Sequence, residues 1–147
     1  MKRILVQSDD FDAGAELAVL ETLGGGGVAS FTGVVRAEGG LVALELEHYP
    51  AMTQAQMERI VDHALSRWPL LGVSVIHRVG RLEPGARIVF VGTASRHRAA
   101  ALESCAFLID WLKSHAPFWK KVLFGDGTHQ WVAARSEDEA KADGWTR

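Results

Sequence analysis

The chain has one cysteine, Cys105, among 147 residues, so no intrachain disulfide framework can staple it and stability must come from a hydrophobic core. Nor does charge of one sign dominate: 16 Lys and Arg against 18 Asp and Glu leave a formal net charge of -2. This excludes the global basic field that holds proteins on nucleic acid or anionic membrane, and any anion site must be a local cluster. No apolar run approaches the ~20 residues of a membrane span. Met1–Gln7 has neither the apolar length nor the flanks of a signal peptide, so a reducing, cytoplasmic setting is expected. The six histidines lack His-x-His or His-Glu-x-x-His spacing and have no cysteine companions, so a metal site is not expected; no cofactor is expected either. Gly24–Gly27 resembles a phosphate loop only in composition: it precedes a strand, lacks the following Lys-Ser/Thr, and reads as a flexible turn.

What is present is a pattern of short apolar runs and periodic segments. Arg3–Gln7 reads as a strand, and Ser8-Asp9-Asp10 offers N-caps for a helix from about Phe11 to Leu23. Val28–Arg36 and Leu41–Tyr49 read as two strands of a hairpin turning at Ala37-Glu38-Gly39-Gly40. Thr53 is the cap expected for a second helix running to Trp68, with Met57, Ile60, Val61, Ala64 and Leu65 at helical spacing and Pro69 as its stop. Val73–Val79 and Arg87–Thr93 read as strands around Glu83-Pro84-Gly85, and Ser95 can cap a third helix, Arg96–Ser114. Strands Phe118–Leu123 and His129–Ala133 close one domain over residues 1–135, followed by a polar, loosely held tail, 136–147. Hairpins separated by single helices predict an α+β fold with a mainly antiparallel sheet and three main helices.

Chemistry enters with cations in places that local physics disfavours. Arg96, His97 and Arg98 fall in the first turn predicted for the third helix, where the macrodipole opposes positive charge by about 0.3–1 kcal/mol each. A bound phosphate would offset that, since helix amides and arginine forks converge on its oxygens; a solvated helix start with a tolerated penalty explains the feature equally well. Lys113 suits the far end of that helix. Lys120 follows Ala116-Pro117-Phe118-Trp119, a stiff aromatic segment that would hold a lysine beside apolar surface and make it available for proton transfer, although plain packing has the same composition. His77 reads as a hydrogen-bonded core or interface histidine, His63 as a surface or partly packed one, and His48 either lines a pocket or ends a strand. Cys105 shares the stripe Leu102, Cys105, Ile109, Leu112 and is expected to be an inert core thiol.

Four separated segments carry a resemblance: Phe31-Thr32-Gly33-Val34-Val35-Arg36, Leu46-Glu47-His48-Tyr49-Pro50-Ala51-Met52, Val75-Ile76-His77-Arg78-Val79-Gly80, and the stretch from Ser95 to Lys121. Together they resemble the molybdopterin synthase catalytic-subunit family, over about Ile4 to Arg135. The resemblance implies an α/β-hammerhead fold and a homodimer within a heterotetramer, with a small ubiquitin-like sulfur-carrier subunit at each end. It implies that the carrier's C-terminal Gly-Gly thiocarboxylate delivers two sulfurs to cyclic pyranopterin monophosphate. By position, Arg36, His97, Arg98, Lys113 and Lys120 match substrate-binding and catalytic residues, with Lys113 and Lys120 carrying the chemistry. Val34, Val35, Lys121 and Val122 line the same site, and the His97-Arg98 pair is supplied by the neighbouring protomer. Val122 stands where the family commonly has an acidic residue, which leaves Lys120 or Lys121 without its usual ion-pair partner. Another phosphometabolite-binding enzyme and a non-catalytic dimeric binding module on the same fold are the alternatives.

Overall fold

Both faces of the central strands are apolar, and the architecture follows from covering them. The computed structural model describes residues 1–115, 117–132, 141 and 143–145. In order, the elements are β1 (Lys2–Gln7), α1 (Ala13–Glu21), β2 (Gly27–Val34), β3 (Leu41–His48), α2 (Pro50–Arg67) and β4 (Leu70–Arg78). They continue with β5 (Gly80–Leu82), β6 (Arg87–Ser95), α3 (Arg98–Ser114), β7 (Phe118–Phe124) and β8 (His129–Val132). One four-stranded sheet has the order β1-β4-β6-β2 and a second the order β5-β3-β7-β8. Among the described residues β1 and β4 pair in parallel and every other ladder is antiparallel, an α+β fold with three main helices as expected.

Alternation along β4 and β6 sends Val73, Val75, Val89 and Val91 into one cluster with Met57, Val61 and Ala64 of α2 and Ala101, Cys105 and Leu108 of α3. Their other face sends Ile76, Phe90 and Ala94 against Phe11 and Leu20, so α1 closes the opposite side. A third cluster, Val35, Leu44, Leu46 and Leu82, underlies the second sheet, with Val122 packed against it.

Several local expectations are corrected. The hairpin from Val28 to Tyr49 does not form: β2 pairs with β6, whereas β3 pairs with β5 and β7 in the other sheet. The reason is that β6 is buried from Val89 to Ser95 and needs ladder partners on both edges, which β4 and β2 supply. Gly39 and Gly40, with φ of 63° and 75°, turn the chain from one sheet to the other. Helix α1 is capped by Asp12, whose Oδ1 accepts the Ala15 N–H at 3.1 Å, because Asp10 is already engaged with the Phe11 N–H and Arg87. Pro50 opens α2, which makes Tyr49 its N-cap and leaves Thr53 buried inside the first turn, donating its hydroxyl to the Tyr49 carbonyl. Ser95 ends β6 and donates to the Pro69 carbonyl at 2.9 Å; α3 starts at Arg98 with His97 as N-cap. Leu102 is 60% exposed, and the buried residues of α3 are Ala101, Ser104, Cys105, Phe107, Leu108 and Leu112.

The tail is not uniformly loose. Trp145 packs edge-on against Trp68 and Phe107, donates its indole N–H to Asp110 at 2.8 Å, and accepts a 2.7 Å bond from Arg67 on its carbonyl. The expected strand end at Ala133, the domain end near Arg135 and most of the predicted tail lie outside the described residues.

Candidate active site

The lysines sit at one end of the molecule. Lys113 lies in the last turn of α3, and the chain then turns at Pro117 into β7. The two aromatics there anchor opposite faces of the strand. Phe118 stacks on His77, with ring centroids 3.9 Å apart and planes 13° apart, and Trp119 meets Tyr49 edge-on at 5.0 Å. Strand alternation sends Lys120 and Val122 to the Phe118 side and Lys121 to the Trp119 side. Lys120 is opposite Leu46 in the ladder, and Val122, opposite Leu44, is packed against the cluster that holds Val35. Val35 is fixed twice through its backbone, donating to the Ala86 carbonyl at 2.9 Å and accepting from the Gly85 N–H at 2.8 Å. Arg36 leaves this anchored point into solvent, 3.8 Å from Glu38, and Val34 is half exposed.

Lys121 is placed differently from its neighbour. Its ammonium is 3.3 Å from Glu45, the residue opposite it in β3, and 5.2 Å from the Trp131 ring. Lys121 thus has a carboxylate partner across the strand pair, and the expectation of a lysine lacking one does not hold for Lys121. The structure does not bring Lys121 together with Lys120, because adjacent strand positions face opposite ways.

Two histidines flank this end. Buried His77 donates its Nδ1–H to the Arg78 carbonyl at 2.8 Å, the hydrogen-bonded core histidine expected. Burial lowers its pKa from 6.5 to about 4, the Arg78 hydrogen bond opposes that, and the charges of Lys113 and His48 add to the lowering. His48, left open by the sequence, contacts Thr53 Oγ1 at 3.1 Å. Since the Thr53 hydroxyl donates to Tyr49, the His48 Nδ1 must be the donor. In the ladder His48 is opposite Phe118 and Leu46 opposite Lys120, so His48 and Lys120 are diagonal neighbours on one face.

The His-Arg pair sits elsewhere. His97 and Arg98 are exposed at the start of α3, which has no acidic residue in its first turn and no side-chain cap. The first-turn amides and these cations thus share one exposed surface, without a carboxylate of the same turn beside them. The Gly24–Gly27 run, read as a flexible turn, backs this segment closely: a Cβ on Gly25 would lie 2.5 Å from the Ser95 carbonyl oxygen, one on Gly26 2.5 Å from that of Arg96, and one on Gly27 3.3 Å from the Arg98 Cα. At Gly25 and Gly26 only glycine allows that approach, and a run of glycines before a strand carried no signal of it.

Helix length then separates the two groups. From Arg98 to Lys113 the rise along α3 is about 22 Å, and β2, running from beside Arg98 to the Val34–Arg36 end, spans about 23 Å. Arg36, Lys113 and Lys120 gather at one end of a chain, and His97 and Arg98 stand at the other.

A protein-family model described as MoaE protein matches residues 6–115, which include Arg36, His97, Arg98 and Lys113. The chain belongs to the MoaE family. A molybdopterin synthase catalytic subunit from Rhizobium meliloti is 49% identical, covering 98% of this chain and 96% of that protein, so the similarity extends through Lys120 and Val122. Among solved structures, a molybdopterin biosynthesis MoaE protein from Burkholderia ambifaria matches with a TM-score of 0.85 at 46% identity, covering 100% of this chain and 99% of that one. A molybdopterin synthase from Staphylococcus aureus matches with a TM-score of 0.78 at 27% identity, covering 89% and 96%. In this MoaE chain Cys105 is buried, its thiol pushed up to about 11 by burial, and its Sγ lies 3.8 Å from the Val91 carbonyl. It lies in the core, away from both groups of cations.

Proposed function

We propose that the chain transfers two sulfur atoms from the thiocarboxylated C-terminus of a small ubiquitin-like carrier subunit to cyclic pyranopterin monophosphate. The activity is that of the molybdopterin synthase catalytic subunits it matches over nearly its whole length. Arg36, His97 and Arg98 hold the phosphate and pterin, and Lys113 and Lys120 carry the chemistry. Val34, Val35 and Val122 shape the wall near the lysines, and Lys121 acts at most through its ion pair with Glu45. The thiocarboxylate is the nucleophile. Its sulfur bonds to a pterin carbon as the oxygen there leaves and the cyclic phosphate opens, and water then cleaves the resulting thioester, leaving the sulfur on the pterin and a carboxylate on the carrier. The lysines stabilise the negative charge that develops and move the protons.

The observation that carries the reading is the separation of the cations by about 22 Å along α3. No phosphorylated pterin could touch both groups in one chain, so one site takes Arg36 and the lysines from one protomer and His97-Arg98 from its partner. We place the working enzyme in the cytoplasm as a homodimer within a heterotetramer; no helix among the described residues is long and apolar enough to cross a membrane. The test is product formation by folded Lys120→Ala with thiocarboxylated carrier, where we expect a loss of about 100-fold or more, the scale of general acid–base and charge stabilisation. Near-normal turnover would remove the lysine from the mechanism. Wild-type chain given sulfide without carrier should form almost no product.

A further inference from the structure

Lys113 and Lys120 belong to different elements, the end of α3 and the middle of β7, joined by a short turn through Pro117. Such a turn does not by itself hold two side chains in one mutual geometry. Between them is Phe118, on the same face of β7 as Lys120. Its ring lies flat on His77, at 3.9 Å and 13°, with His48 5.9 Å away. His77 comes from β4 in the first sheet and Phe118 from β7 in the second, and no ladder joins these strands. The stack is thus a direct tie between the sheets at the lysine end.

The two rings are unequal partners. His77 is 7% exposed, paired with Val6 on one side and Val89 on the other, and hydrogen-bonded through Nδ1 to Arg78. Phe118 is half-buried at the start of its strand. The histidine is the fixed platform and the phenylalanine rests on it. The platform also lies close enough to Lys113 for the ammonium charge to bear on it, and burial keeps the ring neutral, so it does not repel the lysine.

We infer that His77 is a positioning residue of the lysine pair: by stacking on Phe118 it holds the turn between Lys113 and Lys120 against the first sheet, so that both ammonium groups meet one substrate. This rests on the reading that these lysines carry the reaction.

The test uses the enzyme assembled with thiocarboxylated carrier and reads kcat per folded site separately from KM. His77→Leu fills the buried space but removes the flat ring, together with the Nδ1–H bond to Arg78 that His77→Phe also lacks; kcat should fall about 10- to 100-fold, the cost of displacing reacting groups by about 1 Å, with KM for the pterin precursor changed by less than about threefold. His77→Phe, which restores a ring to stack on, should return kcat to within about threefold of wild type. Phe118→Leu attacks the same contact from the more exposed side and gives an answer even if His77→Leu does not fold. The double variant should be no slower than the slower single one, since both remove one contact. A kcat per folded site within about twofold of wild type in His77→Leu or Phe118→Leu overturns the inference, as do additive losses in the double variant or a His77→Phe as slow as His77→Leu. Lys113→Ala and Lys120→Ala in the same assay separate the two levels: active lysine variants would remove the underlying reading, whereas inactive ones beside a normal His77→Leu would remove only the role of His77.

Discussion

Burial decides what the ionisable side chains at the residue scale can do. His77, neutral down to about pH 4 when folded, titrates near 6.5 once unfolded. Between those limits the unfolded chain binds the extra proton, so the contribution of His77 to stability is whole above about pH 6.5 and is lost as the pH falls toward about 4. The loss amounts to about 3 kcal/mol. Thermal midpoints measured across this range should fall with acid, and His77→Phe should flatten that part of the curve. Cys105 is the opposite case: burial raises its thiol to about 11, far from nucleophilic at neutral pH. Cys105→Ala should lose about 1–2 kcal/mol in denaturant unfolding and still form the sulfur-bearing product when thiocarboxylated carrier is supplied. A folded but inactive variant would put the thiol in the sulfur relay.

At the scale of elements, the start of α3 depends on a glycine run distant from it in sequence. Gly26 N–H donates to the Ser95 carbonyl at 3.0 Å, and a Cβ there would meet backbone rather than a yielding side chain. Gly26→Ala should therefore push the Arg96–Arg98 segment outward, costing about 1–3 kcal/mol of stability as overpacking does. It should also raise KM for the phosphorylated pterin, because His97 and Arg98 move with that segment. Gly125→Ala, whose Cβ would meet Val42 at an ordinary 3.5 Å, is the control that should leave both readouts near wild type. If Gly26→Ala behaves like the control, the close approach does not position the pair. Sequence spacing located α3 and its cations but assigned the cap to Ser95, because a serine ahead of an apolar period reads as a cap whether or not a neighbouring carbonyl has taken its hydroxyl.

The whole molecule has its two groups of cations at opposite ends, and this geometry makes a prediction no single residue does. Arg98→Ala and Lys113→Ala chains, each inactive alone, should recover part of the activity when mixed and allowed to exchange subunits, since some mixed dimers contain one complete site. Equilibrium mixing gives about half of the dimers as mixed, so recovery should approach about one quarter of wild-type activity if each mixed dimer holds one intact site of two. No recovery after confirmed exchange would mean that each site is built within one protomer.

The apolar periods, the cations at both ends of α3, the lone cysteine on a buried stripe and the family resemblance could all be read in the chain, because each depends on residues near one another or on fixed spacing. Leu102 marks the margin of that legibility: it has the right spacing for the stripe yet is exposed, since a helix period defines a face only to within a residue. Which edge β2 would join, which face Lys120 and Lys121 would take, and that Glu45 would complete the ion pair were decided by the tertiary structure. Strand pairing follows from which buried edges still need hydrogen bonds, and β6 draws β2 away from β3 to satisfy its own. The neutral state of His77 and the flat contact with Phe118 have the same origin, for they exist only where two sheets, remote in sequence, are packed against each other.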